Sequence, residues 1–526
     1  MHTKTPEIVL YNSLIKEKAP LKPIHSGQVT LYVCGVTVYD HCHIGHARVL
    51  LVFDVLRRFL KQQGLAVTYI RNITDVDDKI IKRAIETKQT EQSLDDAVKA
   101  LTGFFIKEMT ADCQALNILP PTFEPKATEY IPNMLDLITQ LMNKKAAYQG
   151  KNGDIYFDVH AFPEYGHLSH RQLSDLQAGA RVDVDAFKNN PLDFVLWKHA
   201  KPEDEIYWDS PWGRGRPGWH IECSAMSLDC LKHEQLGHTL DIHGGGHDLK
   251  FPHHENERAQ SEVATGVCFA NVWMHVGFVQ INQEKMSKSL GNFLIIKDCL
   301  KDYHPEVLRY FMLSSHYRSP VEYSDQSMES AFVALNRLYR ALSVSKMTYD
   351  DTELPPTFYI ACQRYQEKFD LAMADDINTP VALSILFDIA KEINRLMNSE
   401  ISVQETLFGT LKWTTQAPSI EEIRYHAAIK LTHLMKALGS VLGLLQCDPT
   451  DFNQDARNTR IGRPMDMPEL GLQEIEKLKL KRELARKNKD FKEADRIRDY
   501  LQKHGVVLSD KKVEHTPKEP PLQNTP

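Results

Sequence analysis

Residues 32–46 read YVCGVTVYDHCHIGH, and this stretch decides the fold. The run 30–34 is β-prone and Gly35 ends it, after which apolar residues recur at steps of three and four as far as Gly64. A strand that feeds a helix through a tight turn is the opening unit of a nucleotide-binding α/β sheet. The sequence therefore predicts an α/β protein whose core is a parallel sheet.

The predicted helix start offers groups suited to phosphate. A helix N-terminus carries partial positive charge and free N–H groups, and His43 and His46 can add side-chain donors there. Gly45 allows close approach of a base or a ribose. The alternative is a pair of ordinary surface histidines at a helix start, and this stretch alone leaves both interpretations open.

A second signature, KMSKS, occupies residues 285–289 far along the chain. Residues 272–281 are predicted to form a strand, and the signature follows as a polar loop. Mobile lysines suit the neutralisation of a triphosphate as pyrophosphate departs, because that catalysis is mostly electrostatic. A solvated charge run is the alternative, and the pairing with the first signature disfavours it.

In this order the two signatures resemble those of the class I aminoacyl-tRNA synthetases. The resemblance implies a Rossmann-type catalytic core that activates a carboxylate with ATP and Mg²⁺. It assigns Lys288 as the leading ATP contact, with Lys285 and Ser287 in the same loop. It also implies that His43 and His46 stabilise the charge that develops during the reaction.

Three stretches between the signatures indicate the amino acid. They read GWHIECS at 218–224, HGGGHDL at 243–249 and FPHHENE at 251–257. They resemble the zinc and substrate motifs of the cysteinyl-tRNA synthetase family, and the resemblance extends from residue 32 to about residue 508. It implies one Zn²⁺ per chain, with the ligands Cys34, Cys223, His253 and Glu257. It also implies that L-cysteine binds among Thr74, Trp219, His243 and Asp248.

Spacing alone does not identify the metal ligands. The i,i+4 separation of His253 and Glu257 predicts that both lie on one helical face. Cys34 and Cys223 are expected at distant strand ends, and a buried cysteine is more often a small core residue than a ligand. Without the resemblance, three further residues are rival ligands: Cys42, Cys230 and His254.

A zinc ion would help to distinguish cysteine from serine. Cysteine and serine differ by one atom, and shape discriminates such near-isosteres by only about 1–3 kcal/mol. Zinc binds a thiolate far better than a hydroxyl, so no hydrolytic editing step is required. Four protein ligands usually describe a closed structural site. We therefore expect that Glu257 is a displaceable ligand, or that zinc becomes five-coordinate with substrate.

Composition favours a soluble cytoplasmic protein with no membrane span, and we expect a monomer. The 526 residues suffice for several domains, and nine scattered cysteines indicate a reducing compartment. Residues 1–20 lack a signal-peptide pattern, and no apolar run reaches the roughly 18–20 residues of a membrane helix.

The net charge of −7 hides a basic C-terminal segment. Residues 476–512 contain 13 Lys and Arg against 7 Asp and Glu, so that segment carries +6 and the remainder −13. Such a segment can attract a tRNA backbone, although an ordinary solvated helix pair is the alternative.

Patterns along the chain predict eight segments. They are a first half of the catalytic core (1–100), a connective insertion (101–190), a second half with the zinc site (191–284), the KMSKS loop with a stem-contact region (285–325), an all-α anticodon-binding-type bundle (326–446), a linker (447–471), a small basic tRNA-binding module (472–510) and a disordered tail (511–526). The insertion should hold a helix over 126–143 and a hairpin turning at Asn152-Gly153.

The resemblance implies cysteine activation by ATP and transfer to the terminal adenosine of tRNA(Cys). A cysteine:amino-sugar ligase shares the zinc and ATP motifs but not the roughly 200 residues after position 326. A small nucleotidyltransferase would lack the cysteine motifs, and a non-catalytic zinc- or RNA-binding relative would have lost part of a signature. Two departures from the family are Val36, where many relatives carry proline, and the KKVEH stretch at 511–515, which leaves the anticodon contacts unassigned.

Overall fold

The computed structural model describes residues 6–171, 187–281, 284–286, 293–346, 354, 356–398, 420–452, 472–488 and 490–503. The strands are β1 (Val9–Asn12), β2 (Glu17–Pro20), β3 (Gln28–Thr37), β4 (Ala66–Thr74), β5 (Ala147–Gln149), β6 (Ile155–Phe157), β7 (Phe194–His199), β8 (Gly215–Pro217), β9 (Leu240–Gly246), β10 (Ala270–Val276), β11 (Val279–Ile281), β12 (Glu284–Lys285) and β13 (Val321–Tyr323). The helices are α1 (Ile44–Gln62), α2 (Asp78–Thr87), α3 (Leu94–Ala115), α4 (Ile131–Asn143), α5 (Trp219–His233), α6 (His253–Thr265), α7 (Ile296–Asp302), α8 (Pro305–Leu313), α9 (Asp325–Leu342), α10 (Pro356–Ala374), α11 (Thr379–Leu396), α12 (Ile420–Val441), α13 (Leu472–Lys487) and α14 (Phe491–Lys503).

A four-stranded parallel sheet in the order β10-β9-β3-β4 forms the core. Tyr32 of β3 lies between Ile70 of β4 and His243 of β9, so the two halves of the core meet at β3 and β9. The strand order reverses at that junction, and α/β sheets bind ligands at the carboxyl ends of the strands beside such a reversal. The predicted α/β fold with a parallel-sheet core is confirmed.

The insertion is an antiparallel sheet in the order β5-β6-β7-β8 beside α4. The hairpin turns at Asn152-Gly153 as predicted, with Gly153 at a φ of +88° that favours glycine. The predicted helix 126–143 begins as a 3₁₀ turn at Ala127–Tyr130, and α4 follows it.

Three local predictions were wrong. The strand of the first signature does not end at Gly35, because β3 continues to Thr37 with a shift of register between Val33 and Val36. The expected strand 272–281 is interrupted at Gly277-Phe278. There the Gly277 backbone N–H donates to the Tyr317 carbonyl at 2.8 Å, and the Ser319 carbonyl lies where a side chain at position 277 would be. Cys223 lies within α5 and not at a strand end. β8 ends at Pro217, whose ring removes the N–H that a further ladder bond would use.

Helices dominate the chain after β13. α9 to α12 form the helical region, and Phe452 beyond them is fully buried, with its ring stacked 3.9 Å from the ring of Tyr339. The predicted linker 447–471 thus begins with a buried anchor, and residues 453–471 lie outside the described residues. None of the described helices combines the length and apolar character of a membrane span.

The chain divides into two compact units at residues 453 and 454. In the second unit, α13 and α14 pack against each other. Ala494, Ile497 and Leu501 of α14 are buried, whereas Leu484 of α13 and Phe491 of α14 are exposed. The two helices therefore share an apolar contact and leave other apolar side chains on their surface.

A buried ion pair ties α1 to α8 in the first unit. The Arg309 guanidinium contacts the Asp54 carboxylate, and neither side chain is more than 1% exposed. Asp54 also accepts hydrogen bonds from the Leu119 backbone N–H at 3.0 Å and from Arg58 Nε at 2.8 Å. Burying such charges is tolerated only because their partners are complete.

We expect Asp54→Ala to destabilise the protein by about 3–5 kcal/mol, because Arg309 would remain buried without its carboxylate. Urea unfolding followed by circular dichroism measures this change. Asp95→Ala is the control, since Asp95 forms an exposed pair with Lys99 at 2.6 Å and its loss should change stability little. Equal unfolding curves for the two variants would contradict a stabilising role for the buried pair.

Candidate functional site

A cavity of about 380 Å³ opens at the carboxyl ends of the central strands. Its walls include Cys34 and Gly35 from β3, His43 and His46 from the first signature, and Phe278 from the turn after β10. The region beside the β3–β9 junction is therefore the candidate site, as the sheet topology requires.

The two histidines of the first signature cap α1 together. His43 Nδ1 accepts a hydrogen bond from the His46 backbone N–H at 3.3 Å, and His46 Nδ1 accepts from the His43 N–H at 3.3 Å. Their rings stack with centroids 3.6 Å apart. Because Nδ1 is an acceptor in both rings, the neutral tautomer carries its proton on Nε2, which can donate to a phosphate oxygen.

The described residues before and after the loop of the second signature lie close to the first signature. Lys285 ends β12, and Met286 lines the cavity. Beyond the loop, the Leu294 carbonyl accepts a hydrogen bond from the Ile44 backbone N–H at 3.0 Å, and the Phe293 ring lies 5.0 Å from that of His43. Ser287 and Lys288 lie outside the described residues.

Four buried side chains, including the cavity-lining Cys34, form a candidate metal centre. One ligand atom each from Cys34, Cys223, His253 and Glu257 lies within 4.8 Å of all the others. The two sulfur atoms are 3.8 Å apart, Cys34 Sγ lies 3.2 Å from Glu257 Oε1, and His253 Nε2 lies 3.1 Å from that oxygen. The helical face predicted for His253 and Glu257 is confirmed, and the fold brings all four predicted ligands together.

Burial shapes the charge states of this centre. It raises the pKa of the Cys34 and Cys223 thiols above the ordinary value; the hydrogen bond and charge of Cys223 raise the pKa of Cys34 further, whereas the hydrogen bond with Cys34 lowers that of Cys223. Burial lowers the pKa of His253 to about 3, so the imidazole is neutral. A neutral imidazole is the form that binds a metal, whereas the thiols need a nearby positive charge to ionise.

Further histidines surround the centre. His243 was expected beside the amino acid, but no pattern in the sequence indicated its contact with Glu257 or a role for His220. His243 is fully buried behind the centre, and its Nε2 lies 2.9 Å from Glu257 Oε2. His220 Nδ1 lies 2.9 Å from His253 Nδ1, which leaves His253 Nε2 toward the centre. Contacts of this kind orient metal ligands, but they join residues 14 and 33 positions apart in the chain.

The three alternative metal ligands that the sequence left open fall into two groups. His254 belongs to a second possible donor set with Cys34, His243 and Glu257, but that set holds a single sulfur. His254 Nδ1 also lies 2.9 Å from His275 Nε2, which engages one ring nitrogen. Cys42 and Cys230 are buried, and neither belongs to a donor cluster found among the described residues. The set with two sulfurs fits a thiophilic ion better.

Of the residues expected around the amino acid, Trp219 and His243 contact members of this centre directly. The Trp219 ring stacks on the His253 ring at 4.3 Å and lines the cavity, as does Asp248. Thr74 ends β4 and is buried beside Asn72, whose Nδ2 lies 3.4 Å from Thr74 Oγ1.

Comparisons with known proteins agree with this geometry. The family model described as tRNA synthetases class I (C) catalytic domain matches residues 20–333, and the DALR domain model matches residues 368–446. The model described as cysteinyl-tRNA ligase anticodon binding domain matches residues 473–516. A cysteine–tRNA ligase of Thioalkalivibrio sulfidiphilus is 50% identical over 501 residues, covering 95% of this chain and 97% of that protein. The chain belongs to the cysteine–tRNA ligase family. A second member, from Methylococcus capsulatus, is 48% identical over 502 residues, with 95% and 97% of the two chains covered.

A solved structure extends the comparison to the fold. Methionyl-tRNA synthetase of Mycobacterium tuberculosis, in complex with methionyl-adenylate, aligns with a TM-score of 0.58 at 14% identity. The alignment covers 82% of this chain and 93% of that one. The predicted family and the order of Rossmann-type class I core, insertion, helical domain and C-terminal module are confirmed.

Gly35 supports the position of Cys34, and its replacement tests this part of the site. A Cβ at Gly35 would lie 1.8 Å from the Asn72 carbonyl oxygen, so Gly35→Ala must separate β3 from β4. We expect a loss of stability of about 1–3 kcal/mol or more, measured by thermal unfolding. Gly103→Ala is the control, because no atom lies within 4 Å of its added Cβ. Equal melting temperatures for both variants would contradict the packing argument.

Proposed function

We propose that the cavity and the buried centre beside it activate L-cysteine with ATP and transfer it to tRNA(Cys). The cysteine–tRNA ligase family supplies the reaction, and the convergence of Cys34, Cys223, His253 and Glu257 supports this assignment of residues. The cysteine:amino-sugar ligase is disfavoured, because the chain matches cysteine–tRNA ligases over 95% of its length.

The donor set fits Zn²⁺. Tetrahedral zinc with Zn–S distances of about 2.3 Å would hold two thiolates about 3.8 Å apart. The Cys34 and Cys223 sulfurs are separated by 3.8 Å. Two thiols, an imidazole and a carboxylate are also ligands that zinc prefers. When bound, the ion would stabilise the thiolate of substrate cysteine. Serine carries a hydroxyl in place of the thiol and would bind the ion far more weakly.

The protein groups around the centre would hold the amino acid. His243 fixes one oxygen of Glu257, so displacement of that ligand would leave its carboxylate attached to His243. Trp219 covers His253 on the cavity side and would contact the substrate side chain. Thr74 and Asp248 would bind the polar groups of the amino acid.

Positioning and electrostatics would carry the activation step. The cysteine carboxylate attacks the α-phosphorus of ATP, and pyrophosphate leaves with its Mg²⁺. His43 and His46 would donate from Nε2 to phosphate oxygens beside the positive end of α1. Lys288 and Lys285 would neutralise the charge of the departing pyrophosphate, and Ser287 belongs to the same loop.

The acyl group would then pass to the terminal adenosine of tRNA(Cys). The protein would bind this tRNA as a monomer. The second unit carries the basic residues of α13 and α14, and the family model that matches it is described as an anticodon binding domain. Its charge supports contact with the tRNA backbone.

Cys223→Ser tests the metal centre. We expect this variant to lose bound zinc, measured by mass spectrometry of the purified protein. Its KM for cysteine should rise far more than its KM for ATP, because the thiol site is disrupted and the ATP site is not. Cys230→Ser is the matched control, since Cys230 is 5% exposed on the same helix and lies outside the centre. Full zinc content in Cys223→Ser would argue against this ligand set.

Lys288→Ala tests the ATP contact. Cysteine-dependent ATP–pyrophosphate exchange should fall by about 10²–10³-fold, because the charge that meets the leaving pyrophosphate is removed. Zinc content should stay at one per chain. Lys301→Ala provides the control, because Lys301 is an exposed residue of α7 paired with Asp298 at 2.7 Å. Intact exchange in Lys288→Ala would contradict the assigned role.

A further inference from the structure

A buried aspartate between α10 and α11 holds a loop that supports the cavity wall. Asp376 is fully buried and has a φ of +60°, in the left-handed region that non-glycine residues rarely adopt. Ile377 follows with a φ of +51°. Such a conformation persists only where surrounding contacts fix it.

The contacts of Asp376 come from two other parts of the fold. Its Oδ1 accepts hydrogen bonds from the Tyr317 hydroxyl at 2.6 Å and the Tyr11 backbone N–H at 2.8 Å. Its Oδ2 accepts from Arg318 Nε at 2.7 Å and lies 3.6 Å from His316 Nε2. One carboxylate therefore fixes three consecutive residues, 316–318, of the loop that follows α8.

That loop, residues 314–320, packs against the cavity wall. The Tyr317 carbonyl accepts a hydrogen bond from the Gly277 backbone N–H at 2.8 Å. The Ser319 carbonyl occupies the space where a side chain at position 277 would lie. Gly277 and Phe278 both line the cavity, so the loop forms the outer support of this wall.

The same loop reaches both signatures. Arg48, two residues after His46, donates to the carbonyls of His316 at 3.2 Å and Ser319 at 2.5 Å. After the loop, β13 pairs in parallel with β11, and β11 pairs with β12, where the second signature begins. The expected ATP-binding groups thus share one support.

We propose that Asp376 is a positioning residue for the ATP side of the site, an inference that rests on the proposed function. Its charge holds Arg318 and its two oxygens hold the loop, which in turn sets the Gly277-Phe278 wall and the start of the second signature. The cysteine side is held by β3, α5 and α6, which Asp376 does not contact in the described part of the chain.

Asp376→Asn keeps the shape of the side chain and removes its charge. In cysteine-dependent pyrophosphate exchange, the KM of this variant for ATP should rise about tenfold. Its KM for cysteine should stay within about twofold of the value for the unsubstituted protein. Asp375→Asn is the matched control. Asp375 is the preceding residue, its side chain is 54% exposed, and its partner is Lys18 at 2.5 Å. This control should leave both KM values unchanged.

Tyr317→Phe is the second variant, in case Asp376→Asn does not fold. It removes one hydrogen bond to Asp376 and retains the ring, so the KM for ATP should rise by a smaller factor in the same direction. Unchanged KM values for ATP in the folded variants would overturn the proposal. Equal increases for ATP and cysteine would also overturn it, because a general loss of structure does not distinguish the two substrates.

Calorimetry with a non-hydrolysable ATP analogue separates this proposal from the proposed function. If the original protein shows no cysteine-dependent exchange, the proposed function fails. A weaker analogue affinity in Asp376→Asn than in Asp375→Asn would still support the positioning role in that case. Equal affinities in the two variants would refute it.

Discussion

The convergence of two thiols, an imidazole and a carboxylate in a buried place is the constraint on which the catalytic half depends. Their ligand atoms lie within 4.8 Å of one another, where desolvation opposes the ionised forms. A divalent cation would reverse that penalty, because it supplies the charge that the surrounding apolar residues cannot. The donors come from β3, α5 and α6, so the centre also joins the two halves of the core.

The short path from Cys34 to His43 links this centre to the phosphate site. β3 carries the thiol near its end, and α1 begins ten positions later with the capping histidines. Gly35 lets β3 lie against Asn72 in the adjacent strand, so the geometry between thiol and phosphate groups is set by paired backbone. Activation needs the amino acid carboxylate in line with the α-phosphorus, and a rigid strand-turn-helix unit provides that alignment.

Local patterns in the sequence predicted the features that depend on near neighbours. The helical steps after His46, the Asn152-Gly153 turn and the shared face of His253 and Glu257 all follow from spacing. Contacts between distant segments had no such signal. At the Gly277 break the backbone contacts the loop after α8, and the His220–His253 contact crosses between α5 and α6. The four metal ligands were predicted through the family resemblance, since spacing alone joined only two of them.

The pair Asp375 and Asp376 shows why composition cannot replace structure. They are adjacent carboxylates between α10 and α11, and nothing in the local sequence distinguishes them. In the fold one is exposed on an ion pair, and the other is buried with donors from β1 and the loop after α8. A buried carboxylate with complete partners fixes the segments that supply those partners, because leaving any donor unpaired is costly. The helical region therefore reaches the cavity wall through hydrogen bonds and not through apolar packing alone.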